Sequence, residues 1–139
     1  MRYLIIVLSV LVLAACSNTI MLSKPGGETV AKGIVKLRTN PPHRLTVTLD
    51  GKTYDGDLDS KEMDINKDEL RKRYGASSKH YRAILGGALH TMHHVHHYKG
   101  ILNAPDGATL TCEYMSSVDD GEILGTCDDG KGKVYEVHK

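Results

Sequence analysis

The chain contains no phenylalanine and no tryptophan, and neither sign of charge is in surplus, with 18 Lys plus Arg set against 17 Asp plus Glu over 139 residues. With tyrosine as the sole aromatic type, the core of a single small domain has to be aliphatic and thin, and no indole or phenyl platform is there for sugar stacking. A formal charge of +1 supplies no basic stripe for a phosphate backbone, which argues against nucleic acid as a partner. Catalytic signatures are missing too. There is no Gly-x-Ser-x-Gly elbow, no His-Glu-x-x-His helix and no Gly-rich phosphate loop, and the run His90 to His94 lacks the glutamate of a metalloprotease. Asp119-Asp120 and Asp128-Asp129 stand beside glycine, where aspartate serves turns. Asp55 to Asp59 fails as a calcium loop, because Ser60 occupies the sixth position and Asn66 the twelfth. No catalytic residue is assigned, and the expectation is a protein that is not an enzyme.

What is present begins with an address. Arg2 precedes an apolar run from Tyr3 to Leu13, followed by Ala14 and Ala15. A run this short falls below the roughly 20 apolar residues of a membrane-spanning helix and reads as a cleaved signal peptide over 1–15. The sequence Leu13-Ala14-Ala15-Cys16 resembles the lipobox of bacterial lipoprotein precursors. That resemblance implies cleavage before Cys16, a diacylglyceryl thioether on its sulfur, and a partner membrane held through acyl chains. Serine rather than aspartate at position 17 resembles the enterobacterial pattern for release to the outer membrane. Localisation is therefore expected in the cell envelope, lipid-anchored at the outer membrane with a periplasmic domain. Residues 16–28, which include Pro25-Gly26-Gly27, read as the lipidated cysteine and a tether, and 29–139 as a single β-rich domain. The ordinary secretory alternative leaves Cys16 as a thiol.

Setting Cys16 aside, Cys112 and Cys127 remain as an even pair in an oxidising compartment, where a disulfide is expected. A hairpin turning at Asp119-Asp120-Gly121 places them directly opposite each other. No Cys-x-x-Cys spacing supports a redox role.

Alternation marks the strands. Val35 and Leu37, then Leu45, Val47 and Leu49, repeat every second residue, and Asp50-Gly51 is a two-residue turn that sets Val47 opposite Tyr54. Leu110, Cys112 and Tyr114 alternate likewise, followed by Ile123 to Cys127 and by Tyr135 and Val137 after the turn at Gly130-Lys131-Gly132. The expected fold is mainly β, a small antiparallel sandwich or barrel of about six strands in two halves. Lys32-Gly33-Ile34 before Leu45-Thr46 and Lys99-Gly100-Ile101 before Leu110-Thr111 hint at a repeat. Between the halves, 57–98 reads as a helical or irregular insertion. Acids early (Glu62, Asp64) and bases late (Arg71, Lys72, Arg73) suit a short helix from Asp59 or Ser60, with a break at Gly75 to Ser78.

Histidine is concentrated at His90, His93, His94, His96 and His97. On a helix from Tyr81, His90, His93, His94 and His97 share one face at ligand spacing. On a strand, His94 and His96 point one way while His93 and His97 point the other. Against the helix stand Gly86 and Gly87. Imidazoles suit zinc, copper or nickel as cofactor. The alternatives are a solvated polar run that binds metal weakly and a pH-sensing face.

Three functions fit this sequence. One is a lipid-anchored binding or interaction module that meets an envelope protein or polymer, and the second is a transition-metal-binding lipoprotein. The third is an exclusion or inhibitor lipoprotein. The pattern Gly125-Thr126-Cys127 with Gly132-Lys133-Val134-Tyr135 resembles small β-rich envelope lipoproteins, which implies a fold and a compartment but no activity.

Overall fold

A computed structural model describes residues 17–64, 68, 72, 94–118 and 121–139. The signal peptide, Cys16, His90, His93 and the glycine-serine break at 75–78 lie outside the described residues. Eight strands follow one another in chain order: β1 Ser17–Ser23, β2 Thr29–Lys36, β3 His43–Leu49, β4 Lys52–Asp64, β5 His94–Asn103, β6 Thr109–Ser117, β7 Ile123–Asp128 and β8 Val134–His138. Each pairs antiparallel with the next, and β8 returns to β1, so the sheet closes into a barrel.

The mainly β expectation is met by the barrel alternative, with two strands more than the periodicity suggested. The additional ones are β1 and β5. Ser17–Ser23 had the composition of a tether, but Ile20 and Leu22 point into the core and the whole segment pairs with β2. Lys24-Pro25-Gly26-Gly27 is therefore a hairpin turn, and of the tether expected over 16–28 the described residues 17–28 are strand and turn instead. The insertion is narrower than 57–98, since β4 runs to Asp64 and β5 starts at His94. The expected helix start at Asp59 or Ser60 is likewise strand. Its charges alternate with Leu58 and Ser60, and pairing with β5 over Asp59 to Asp64 outweighs a dipole preference worth only tenths of a kcal/mol.

Local chemistry sets the turns. Asp50 and Gly51 adopt φ of 51° and 75°, the two left-handed positions of the expected hairpin, and Val47 faces Tyr54. At the same end, the β1–β2 and β5–β6 connections are one device used twice. Lys24 N–H donates to Glu28 O and Gly27 N–H to Lys24 O, while Ala104 N–H donates to Ala108 O and Gly107 N–H to Ala104 O. Proline occupies the second position of both turns, as its fixed φ favours. The third position separates them: Gly26 takes φ of 68°, whereas Asp106 leaves the left-handed step to Gly107 at 86°. The repeat thus relates β1–β2 to β5–β6. The sequence match of Lys32-Gly33 to Lys99-Gly100 instead relates β2 to β5 and is offset from this by one strand.

Inside, Ile20, Leu22, Val35, Leu45, Val47, Leu58, Leu102, Leu110, Tyr114 and Val137 form the core with the cysteine pair. Cys112 and Cys127 stand opposite in register with their sulfurs at bonding distance, 2.09 Å. A barrel this narrow needs inward positions without side chains. A Cβ added at Gly100 would lie 2.2 Å from Asp57 O, and one at Gly56 would lie 2.4 Å from Ile101 O. These two glycines face a stretch where β4 and β5 cross too closely for any side chain.

Candidate functional site

The barrel has two ends with different chemistry. One carries the short turns at 24–28, 50–51, 104–108 and 129–133. The other carries the start of β1, the start of β3, the end of β4 and the start of β5, and it holds the histidines.

At the histidine end, β5 is a strand, so neighbouring imidazoles diverge. His94 and His96 fall on the side of Tyr98, which stacks on the core Tyr114 with ring centroids 4.9 Å apart. His97 falls on the opposite, outer side. The helical face that would have joined His94 to His97 does not form over these residues. His94 Nδ1 donates to Asp64 Oδ1 at 2.9 Å, and Glu62 Oε1 lies 3.6 Å from His94 Nε2 and 3.8 Å from His96 Nε2. The Asp64 bond, helped by Glu62, raises the His94 pKa above its usual 6.5. Among the described residues, no group of three or more His, Cys, Asp and Glu side chains is arranged to hold a metal ion.

His97 takes part in a different arrangement. Its Nε2 lies 2.7 Å from Glu113 Oε1, with side chains only 11% and 8% exposed. Val95, Met115 and Ser117 on the same outer wall are also buried. This second buried patch, outside the barrel, was not legible in the sequence. Glu113 reads there as an outward polar residue of an alternating strand.

His43, which no motif singles out, is 8% exposed and sits in the mouth of the barrel. Its Nδ1 accepts the Arg38 N–H at 3.0 Å, so the neutral ring carries its proton on Nε2, which donates to Ser60 Oγ at 3.1 Å. Burial, with His96 and Arg38 nearby, lowers its pKa. A base whose pKa is lowered by folding leaves the unfolded chain binding more protons in acid, so this contribution is intact above pH 6.5 and is lost as the pH falls through the folded value. Urea titrations across pH 7.5 to 4.5 should show a decline that His43→Gln flattens, with the variant about 1–2 kcal/mol less stable near pH 7. His94, exposed and with its pKa raised, pulls weakly the other way. Its contribution is present below its unfolded pKa and lost as the pH rises through the folded one.

The turn end carries a cleft of about 800 Å³. The pairing explains why it exists. β8 meets β1 only at His138, Val137 and Glu136, opposite Met21, Leu22 and Ser23. The next step would pair Lys24 with Tyr135, but the Lys24 N–H is committed to Glu28 O and the chain turns away. Val134 and Tyr135 therefore keep β7 as a neighbour and have no β1 partner. Val30, Leu49, Val134 and Tyr135 floor the opening, and Lys24, Asp50, Lys133 and Glu136 stand around it. Thr126, which also borders it, is 1% exposed and its Oγ1 has no hydrogen-bond partner among the described residues. Below the cleft the seam is tied by Ser23 Oγ and His138 Nε2 at 2.6 Å.

Comparison with protein-family models, with curated proteins and with solved structures finds no significant match to this chain.

Proposed function

We propose that this chain is a lipid-anchored envelope protein whose barrel is a non-enzymatic binding module, taking an envelope protein or polymer in the cleft at its turn end. The observation that carries the reading is the cleft itself, an apolar floor beside a strand edge that β1 leaves unpaired. Such an edge can pair with extended backbone from a partner, while the floor seats one of its apolar groups. The filled interior supports this reading, since side chains occupy the space where a ligand-carrying barrel would hold its cargo. Outward positions exposed to water are mainly polar, with Ile34 and Ile101 the large apolar exceptions on the described strands: Thr46 and Arg44 bond to Asp55, and Lys32, Lys36 and Lys99 face water. A membrane-spanning barrel has the reverse pattern, with its apolar side chains outward. The anchor reading rests on Leu13-Ala14-Ala15-Cys16.

A photo-crosslinking residue at Val134 in the intact cell should give a discrete adduct that the same residue at Lys99 does not. The partner so recovered, purified and titrated against the full chain, should lose at least about tenfold in affinity to Val134→Asp, the loss of one well-seated contact. Identical adducts at the two positions, or unchanged affinity, would sink the reading. The alternative function, transition-metal binding, predicts tight binding of zinc, copper or nickel that is lost when the clustered histidines are replaced. The divergence of His94 and His97 leads us to expect weak, unselective heats in a calorimetric titration.

A further inference from the structure

We propose that the barrel sits directly on the bilayer that holds its anchor, with the histidine end against the lipid headgroups and the cleft facing away. The inference rests on the lipid-anchor reading of Cys16. What it adds comes from β1. Ser17 follows Cys16 in sequence and is already a strand residue, paired with Lys36, and the pairing continues without a gap through Leu22 and Ala31. One peptide unit, about 3.8 Å, then separates the acylated residue from the barrel wall. A free tether of twelve residues would have let the domain wander by roughly 20 Å and present any side to the membrane. The strand removes that freedom.

The direction of β1 decides which end is which. It runs from the histidine end to the turn end, rising by roughly 20 Å over its length. Alternation of direction around the closed sheet then puts the turns at 24–28, 50–51, 104–108 and 129–133 on the side away from the anchor. The loop between β2 and β3, the end of β4, the start of β5, the connection between β6 and β7 and the end of β8 gather on the anchored side. What they show is mainly polar, with Arg38, Glu62, Asp64, His94, His96, Glu122 and Lys139 beside the exposed Pro41, Pro42 and Val118. Charged and imidazole side chains of both signs suit the hydrated headgroup layer and do not enter hydrocarbon. The fitting surface partner is therefore the zwitterionic and anionic headgroup face of a phospholipid bilayer. A binding partner of the cleft has to arrive from the aqueous side.

The test uses the full mature chain isolated from membranes, with its mass recorded first, in phosphatidylethanolamine and phosphatidylglycerol vesicles that contain a nitroxide-headgroup lipid. A fluorescent amino acid is placed at Arg38 in one preparation and at Lys131 in another. Quenching several-fold stronger at Arg38 than at Lys131 is expected. A flexible Gly-Ser segment inserted between Cys16 and Ser17 should bring the two signals together. Acylated protein with equal quenching at both positions overturns the orientation alone, and a difference that survives the insertion unchanged overturns the role of the short β1 linkage in setting it. A mass without acyl groups on Cys16 overturns the anchor reading and the orientation with it.

Discussion

Gly125→Ala should be the most damaging single-methyl change in this protein. A Cβ at that position would stand 2.3 Å from Glu113 O and 2.3 Å from both Cα and Cβ of Tyr114, its partner across the β6–β7 ladder. The first of these is a carbonyl in the barrel wall, and Tyr114 is anchored by its ring in the core against Tyr98. Neither can withdraw without parting two strands. Overpacking of a well-filled core typically costs 1–3 kcal/mol, and contact with backbone puts this site at about 3 kcal/mol or above. A domain of this size has only about 5–15 kcal/mol to lose. Gly27→Ala is the internal comparison, since its Cβ would meet nothing closer than Lys24 O at 3.8 Å. Thermal melts should place Gly27→Ala within a few degrees of the parent and Gly125→Ala well below it. Equal melting temperatures for the two would show that the β6–β7 wall is looser than the register implies.

The second large effect is expected from the cysteine pair. The bond closes a loop with a sequence separation of 15. In the chain-entropy treatment a loop of that length is worth about 3 kcal/mol, gained by restricting the unfolded chain. Replacing both Cys112 and Cys127 by alanine should lower the melting temperature by about 15 °C. Reduction of the unaltered protein in mild denaturant should reproduce the shift without any substitution. The two residues lie at the centre of the second four-strand half, and the first half holds no counterpart. Hydrogen exchange should accordingly rise first in β6 to β8, and uniform acceleration across all eight strands would contradict this assignment.

How much could be read from the chain alone depended on whether neighbouring residues or distant ones made the decision. Asp50-Gly51 and the spacing of Cys112 to Cys127 fixed their hairpins locally, and both registers agree with the structure. β1 escaped because Pro25-Gly26-Gly27 reads equally as linker or as turn, and only the partnership with β2 and β8 makes Ser17–Ser23 a strand. The same holds for Asp59 to Asp64 and for His94 to Tyr98. They are polar stretches with little periodicity, and each is made a strand by its pairing with the other. Of the histidines named as ligands, His94 and His96 do share a side, as the strand alternative required, while His97 is turned toward Glu113. His43 and the cleft had no local signal at all. They arise from where Ser60 and the Lys24 turn fall on strands far away in sequence.

The seam between β1 and β8 also fixes an order of events. β1 is the first of the strands to leave the ribosome and β8 is the last, yet the two must pair before the wall is complete. No intermediate length of nascent chain can close. Until Val137 reaches Leu22, β1 and the most recently emerged strand each show a bare edge to whatever lies nearby. Closure of the wall is therefore the last step available to the chain, and the two bare edges persist until β8 is complete.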